Sequence, residues 1–245
     1  MISLRRGDSR HHIQRGKRDV WLTFYLMDRK DPLADGFGSL EILNEDRLAP
    51  GASCPLEPCH EAEIVTYVLE GSLAHEDSAG HSGVIHAGEF QRRTGARGIQ
   101  RSEANASRSD WAHVFHLWLR PSQAEREPSQ EQQRFSTAER RGVLRVVASP
   151  DGRKGSLRVH QDARIYSAVL DPGQHLVHEL ADRRSAWVHV VRGEATIGDL
   201  MLATGDGVGV TAERSVSLTA WENTEILLID LPDPVPTPHE VKRDS

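Results

Sequence analysis

The sequence predicts an all-β chain folded as two stacked antiparallel β-barrels. Three observations carry that expectation. Short apolar, β-rich runs recur along the chain between Gly, Pro, Asp and Asn turns. Helical periodicity is almost absent. One hairpin pattern recurs weakly in each half. A length of 245 residues suits one or two domains, and 38% hydrophobic content suffices for a sizeable core.

The strands follow in order. The run from Val20 to Leu26 alternates, as do Ser39 to Leu43, Ile64 to Leu69 and His113 to Leu119. The second half offers Leu144 to Val147, Ile165 to Leu170, Trp187 to Val191, Val208 to Thr211, Val216 to Ala220 and Ile226 to Ile229. In the first half, Tyr67-Val68-Leu69-Glu70-Gly71 is followed by Ala87-Gly88-Glu89. In the second, His189-Val190-Val191-Arg192-Gly193 is followed by Thr204-Gly205-Asp206. Each reads as a buried strand, a glycine turn, an exposed strand and a glycine-acid turn into another strand. One such unit is a common hairpin. Two at matching places indicate a duplicated small barrel.

The expected organisation is an N-terminal barrel over residues 1–121, a polar linker over 122–141, a C-terminal barrel over 142–232 and a Pro-rich tail over 233–245. The linker SQAEREPSQEQQRFSTAERR is nearly free of apolar residues and broken by Pro128, leaving room only for short helical turns. The four prolines of LPDPVPTPHEVKRDS favour an extended tail.

A net charge of −6, with arginine pairs set among carboxylates, argues against nucleic acid or an anionic membrane as partner. No apolar run approaches the ~20 residues of a membrane helix. The charged N-terminus lacks the apolar core of a signal peptide. The expected location is the cytoplasm, where Cys54 and Cys59 are read as reduced thiols, although a disulfide between them is geometrically possible.

The segment GASCPLEPCHEAEIVTYVLEG, from Gly51 to Gly71, crowds cysteines, a histidine and carboxylates just before a strand. The spacing of Gly51, Glu57, Cys59, Glu63 and Gly71 has the frame of the first cupin motif. The run from Gly95 to Asn105, GARGIQRSEAN, is similar to the second block of pirins. With EIVTYVLEGSLAHEDSAG, HLWLRP, SLRVHQDARIYSAVL, VHVVRGEATI and EILLIDLP, the likeness covers about Gly16 to Leu231. The chain resembles the pirin family of bicupins, including bacterial members described as quercetin 2,3-dioxygenases. The resemblance implies two jelly-roll barrels of the double-stranded β-helix kind. It also implies one iron-like metal in the N-terminal barrel, held by three histidines and a glutamate.

Carried over position by position, those ligands fall on Glu57, Cys59, Arg101 and Glu103, with Pro58 retained; only Glu103 matches the family pattern. Arginine keeps its charge and offers no acceptor, so Arg101 is no ligand. Glu57, Cys59 and Glu103 form an altered set, which His60 joins only if the loop is irregular. Zinc tolerates that set better than a redox iron, and the resemblance keeps Fe, Ni and Cu among the alternatives. The other reading has no tightly bound metal. A carboxylate stripped of its cation is costly to bury unpaired, and Arg101 can bridge Glu57 and Glu103 instead. Cys59 then packs as a small apolar side chain.

Two functions follow. The first is a binding or regulatory module for a small, phenolic molecule or a protein, with a degenerate site and no oxygenase turnover. The second is a quercetinase-like, metal-dependent dioxygenase of flavonols, with Glu103 as the catalytic carboxylate. Outside this site, His113 and His116 point to opposite strand faces, one pocket-side and one exposed; His175 and His178 likewise make poor co-ligands. His160 reads as a structural hydrogen-bonding group between the barrels. Trp118, Trp187 and Trp221 read as core. Neither a phosphate-binding glycine loop nor a nucleophile elbow is present.

Overall fold

A computed structural model describes residues 1–58, 62–95, 100–120, 122 and 127–233, with the backbone alone described for residues 55–58. The strands are β1 (Ile2–Arg5), β2 (His11–Arg15), β3 (Arg18–Leu22), β4 (Leu40–Leu48), β5 (Ser53–Pro58), β6 (Glu63–Glu70), β7 (Ser72–Asp77), β8 (Ser82–His86), β9 (Glu89–Thr94), β10 (Gln100–Asn105) and β11 (Ala112–Leu119). After β12 (Ser129–Arg134) and the helix α1 (Thr137–Arg140) come β13 (Arg145–Ser149), β14 (Leu157–Arg158), β15 (Arg164–Leu170), β16 (His175–Glu179), β17 (Arg184–Arg192), β18 (Glu194–Ile197), β19 (Leu200–Ala203), β20 (Gly207–Val210), β21 (Ser215–Ala220) and β22 (Thr224–Pro232).

The all-β expectation is met, and eight strands of each half share one topology. The first half pairs the order β12-β9-β6-β11-β4-β3-β2 with the order β5-β10-β7-β8. The second pairs β1-β20-β17-β22-β15-β13-β14 with β16-β21-β18-β19. Strands β4 to β11 therefore have the arrangement that β15 to β22 repeat. In each half the hydrogen-bonded ladders form two separate sheets, so the jelly rolls are sandwiches rather than closed barrels. The glycine turns are obligatory in both. Gly71 has φ +73° and Gly193 φ +90°, and an added Cβ would lie 2.3 Å from the Trp111 carbonyl oxygen or 2.5 Å from that of Asn223.

The halves meet through their larger sheets. Strand β6 is buried on both faces, and its alternate residues Val65, Tyr67 and Leu69 join Phe115 and Leu117 against Val147, Ile165, Trp187, Leu227 and Ile229. Removing a side chain such as Leu117 from water contributes about 2 kcal/mol. Within this layer Arg140 donates to Glu225 at 2.6 Å, to Ser167 Oγ at 2.9 Å and to Tyr67 Oη at 3.1 Å. His160 performs the expected bridging: its backbone N and ring Nδ1 lie 2.8 Å from Glu63 Oε1, with Gln161 N donating to the same carboxylate.

Several expectations are corrected here. The polar stretch read as a linker supplies β12, which extends the first half's large sheet by pairing with β9, and then α1, capped by a reciprocal Ser136–Glu139 box. Its lack of apolar residues reflects an edge strand with exposed side chains, a composition that also discourages further pairing. The N-terminal strand β1 crosses to the second half and pairs with β20. Strand β3 ends at Leu22, so Thr23 to Leu26 are not strand. Trp187 is fully buried, but Trp221 is 61% exposed and is not core. The Pro-rich tail beyond Asp233 lies outside the described residues. No helix among the described residues is long and apolar enough to cross a membrane.

Candidate functional site

Side chains alternate across a strand, so one face of β4, β6, β7, β9, β10 and β11 points into the first jelly roll. Part of that face is apolar: Leu48, Val68, Leu73, Ile85 and Val114 form a small cluster. The rest is charged or polar. Glu103, 8% exposed, has Oε1 3.3 Å from Arg101 Nη2 and Oε2 3.6 Å from His116 Nε2. The Arg101 guanidinium also lies over the Trp118 ring, 6.0 Å from its centroid. His116 Nε2 is 3.2 Å from Asp46 Oδ2, and Arg18 Nη2 reaches the same oxygen at 2.7 Å. Flanked by two carboxylates, Nε2 carries a proton, and the Thr66 hydroxyl oxygen lies 3.2 Å from Nδ1.

The charges hold one another ionised. Burial alone would push the Glu103 carboxyl up; Arg101, then His116, outweigh it and hold the group below its ordinary value. Burial likewise opposes ionisation of Asp46, and His116 and Arg18 overcome it. Strand β10 is bulged between Arg101 and Glu103 where it pairs with β5, which sets Arg101 opposite Glu57 and Glu103 opposite Cys54.

A second set adjoins the first through the β10–β7 ladder, which pairs Glu103 with His75. Arg93 Nη2 donates to His75 Nδ1 at 2.9 Å, and the Gln91 side-chain nitrogen lies 2.8 Å from His75 Nε2. Burial, reinforced by Arg93, lowers the His75 pKa and keeps the ring neutral. The ring lies against Gly83, where an added Cβ would come within 2.9 Å of Nε2.

The topological repeat supplies an internal reference. Following the ladders, Glu103 corresponds to Leu218, Arg101 to Val216 and His75 to Ile197. His116 corresponds to Leu228, Thr66 to Val188 and Asp46 to Ala168. Gln91 and Arg93 correspond to Val208 and Val210. All of these counterparts belong to one apolar core. The jelly roll is thus satisfied by aliphatic side chains, and its strands do not require the polar layer of the first half. Polar groups buried at a cost, where the same frame accepts aliphatics, mark a functional site.

A family model described as Pirin matches residues 6–119, and one described as quercetinase C-terminal cupin domain matches 146–231. The chain belongs to the pirin family. It is 38% identical over 232 residues to a quercetin 2,3-dioxygenase of Escherichia coli K12, covering 95% of this chain and 99% of that one. It is 29% identical over 201 residues to a pirin-like protein of Caulobacter vibrioides, covering 82% and 86%. Among solved structures it resembles the bacterial pirin YhhW of E. coli in complex with nickel(II), with a TM-score of 0.89, 37% identity and coverage of 96% and 100%. The pirin bicupin fold follows from these findings, and metal binding is a property of that nickel-bound relative.

Of the residues singled out by the sequence, the structure brings Arg101 and Glu103 together. Glu57 is described by its backbone alone, at the register position facing Arg101. Cys59 and His60 lie outside the described residues. Sequence reasoning missed His75, Gln91, Arg93, Asp46 and Arg18. His116 is the pocket-side member of its pair, but His113 is not exposed: it is buried on the other face, 2.8 Å from Glu45. Among the described residues no group of three or more His, Cys, Asp or Glu is arranged to hold a metal ion. The one retained ligand-type residue, Glu103, faces a guanidinium that cannot ligate. Of the four family ligand positions, Arg101 and Glu103 have described side chains, and of these two Glu103 alone can ligate.

Proposed function

We propose that this pirin-family cupin is a binding module for a small phenolic molecule or a protein, whose first jelly roll has exchanged a metal cation for internal ion pairs and which does not turn over oxygen. The observation that carries the reading is the Arg101–Glu103 pair, 3.3 Å apart inside the jelly roll at two family ligand positions. A guanidinium there supplies the positive charge that Glu103 needs and leaves no coordination site. Arg101, His116 and Arg18 then fix the carboxylates, and the His75–Arg93–Gln91 set presents a neutral, oriented imidazole. These groups hold donors and acceptors in place for a ligand with little rearrangement on binding.

The likeness to E. coli quercetin 2,3-dioxygenase supports a second reading, a dioxygenase of quercetin-like flavonols with metal on Glu57, Cys59 and Glu103, and with His60 as a further candidate. Titration of the full chain with nickel(II), iron(II), zinc(II) or copper(II), followed by oxygen uptake with quercetin, separates the two. The binding-module reading expects no stoichiometric metal and no oxygen uptake. Metal-dependent loss of quercetin would overturn it in favour of the dioxygenase.

A further inference from the structure

We infer that the groove between the two halves is a second binding site, for a planar aromatic anion, separate from the polar layer of the first jelly roll. The groove encloses about 600 Å³ where the large sheets part, with Leu69 of β6 and Val191 of β17 as its apolar floor. This is the inter-half face of β6; the polar layer occupies the opposite face. Two indoles line the groove. Trp21 is held in place by the His12 ring stacked at 4.6 Å and by the Arg47 guanidinium 5.7 Å from its ring centroid. Trp111 is 55% exposed, a position that core packing does not explain.

Two guanidiniums accompany them, and their carboxylate contacts are long. Arg47 lies 3.9 Å from Glu45, and Arg192 lies 3.5 Å from Glu225 and 3.9 Å from Glu70. Glu45 is already held by Arg10 and His113 at 2.8 Å each, and Glu225 by Arg140 at 2.6 Å. The forks of Arg47 and Arg192, each about half exposed, therefore keep donors available for an incoming acceptor. Of the carboxylates at the groove, Asp19 faces His12 at 3.2 Å and Glu70 is 62% exposed at the rim. Aromatic faces beside planar donor forks suit a flat ring system carrying a carboxylate: the rings stack on indole, and the anion takes a bidentate guanidinium contact.

The inference is independent of whether the first jelly roll holds metal, and calorimetry on the full chain tests it. The probes are 2-naphthoate, the neutral 2-naphthylmethanol and the cationic 2-naphthylmethylammonium. Saturable binding of 2-naphthoate is expected, at least about tenfold tighter than the alcohol and weakened by added salt. Trp111→Ala and Arg192→Ala should each weaken it by about tenfold, while Trp221→Ala, an exposed indole outside the groove, leaves it unchanged. No saturable binding of the carboxylate, equal or tighter binding of the alcohol or amine, or binding untouched by both Trp111→Ala and Arg192→Ala would overturn the assignment. The probe series and salt dependence use the wild-type chain, so the outcome does not depend on a variant folding.

Discussion

The two halves have one strand order and two interiors. In the second, the layer between the sheets is aliphatic: Ala168, Ile197, Val208, Val210, Val216, Leu218 and Leu228. In the first, the same frame holds Asp46, His75, Gln91, Arg93, Arg101, Glu103 and His116. The difference teaches that topology fixes where side chains point and leaves their chemistry open. The aliphatic layer stabilises by removing area from water. The ionic layer stabilises only while each charge keeps its partner, because replacing buried ion pairs with apolar groups is often neutral or better. Its retention in one half alone argues for a role in recognition rather than in folding.

That contrast can be broken most forcefully at Arg101. Arg101→Ala leaves Glu103 buried without its nearest cation and should destabilise by about 3–5 kcal/mol in urea unfolding. A negligible effect would show that solvent or another group already balances the carboxylate. Leu218→Ala, at the position matching Glu103, should cost about 2–5 kcal/mol as a cavity, with no dependence on salt. Copying the second half into the first sharpens the comparison further. Arg101→Val with Glu103→Leu together should cost less than Arg101→Ala alone, since both charges leave at once. A double variant worse than the single one would contradict the view that the frame accepts either chemistry.

A smaller effect is expected at His189, fully buried between the halves with neither ring nitrogen partnered among the described residues. Burial, with Arg10 adding to it, pushes its pKa down to about 3. An unfolded histidine titrates near about 6.5, so below that pH the unfolded chain takes up a proton the folded chain refuses. The associated stability is complete above about pH 6.5 and is lost as pH falls toward 3. His189→Leu should gain about 1 kcal/mol at pH 7 and flatten the loss between pH 6.5 and 5. Urea unfolding at both pH values reads the difference; an unchanged slope would place the acid sensitivity elsewhere. Glu45 is the next candidate: burial raises it, but His113 and Arg10 bring it down to about 2, so its contribution fades only below about pH 4.5.

What the sequence disclosed follows from burial. Strands β6, β11, β17 and β22 have both faces covered, so their apolar runs are unmistakable. Strand β12, with the sequence SQEQQR, carries no apolar signal because an edge strand with exposed side chains needs none. Strand β1 gave no hint of its partner, since its ladder on β20 joins the two ends of the chain. At the site, Arg101 and Glu103 were legible through the resemblance to pirins. Arg93 reads in the sequence as one of the arginine pairs set among carboxylates, and His75 and Gln91 carry no signal of their own. The readable signal was the repeat itself: placing Arg93 against Val210 and His75 against Ile197 exposes polar residues at core-facing positions.

The most direct test is the metal content of the full chain beside that of a variant restoring the family's histidines at Glu57, Cys59 and Arg101. Elemental analysis after purification and exposure to nickel(II) should find no stoichiometric metal in the wild type. It should find about one equivalent in the Glu57→His, Cys59→His, Arg101→His variant, where a three-histidine, one-carboxylate set is complete. One equivalent in the wild type would contradict the claim that an ion pair has taken the place of the metal.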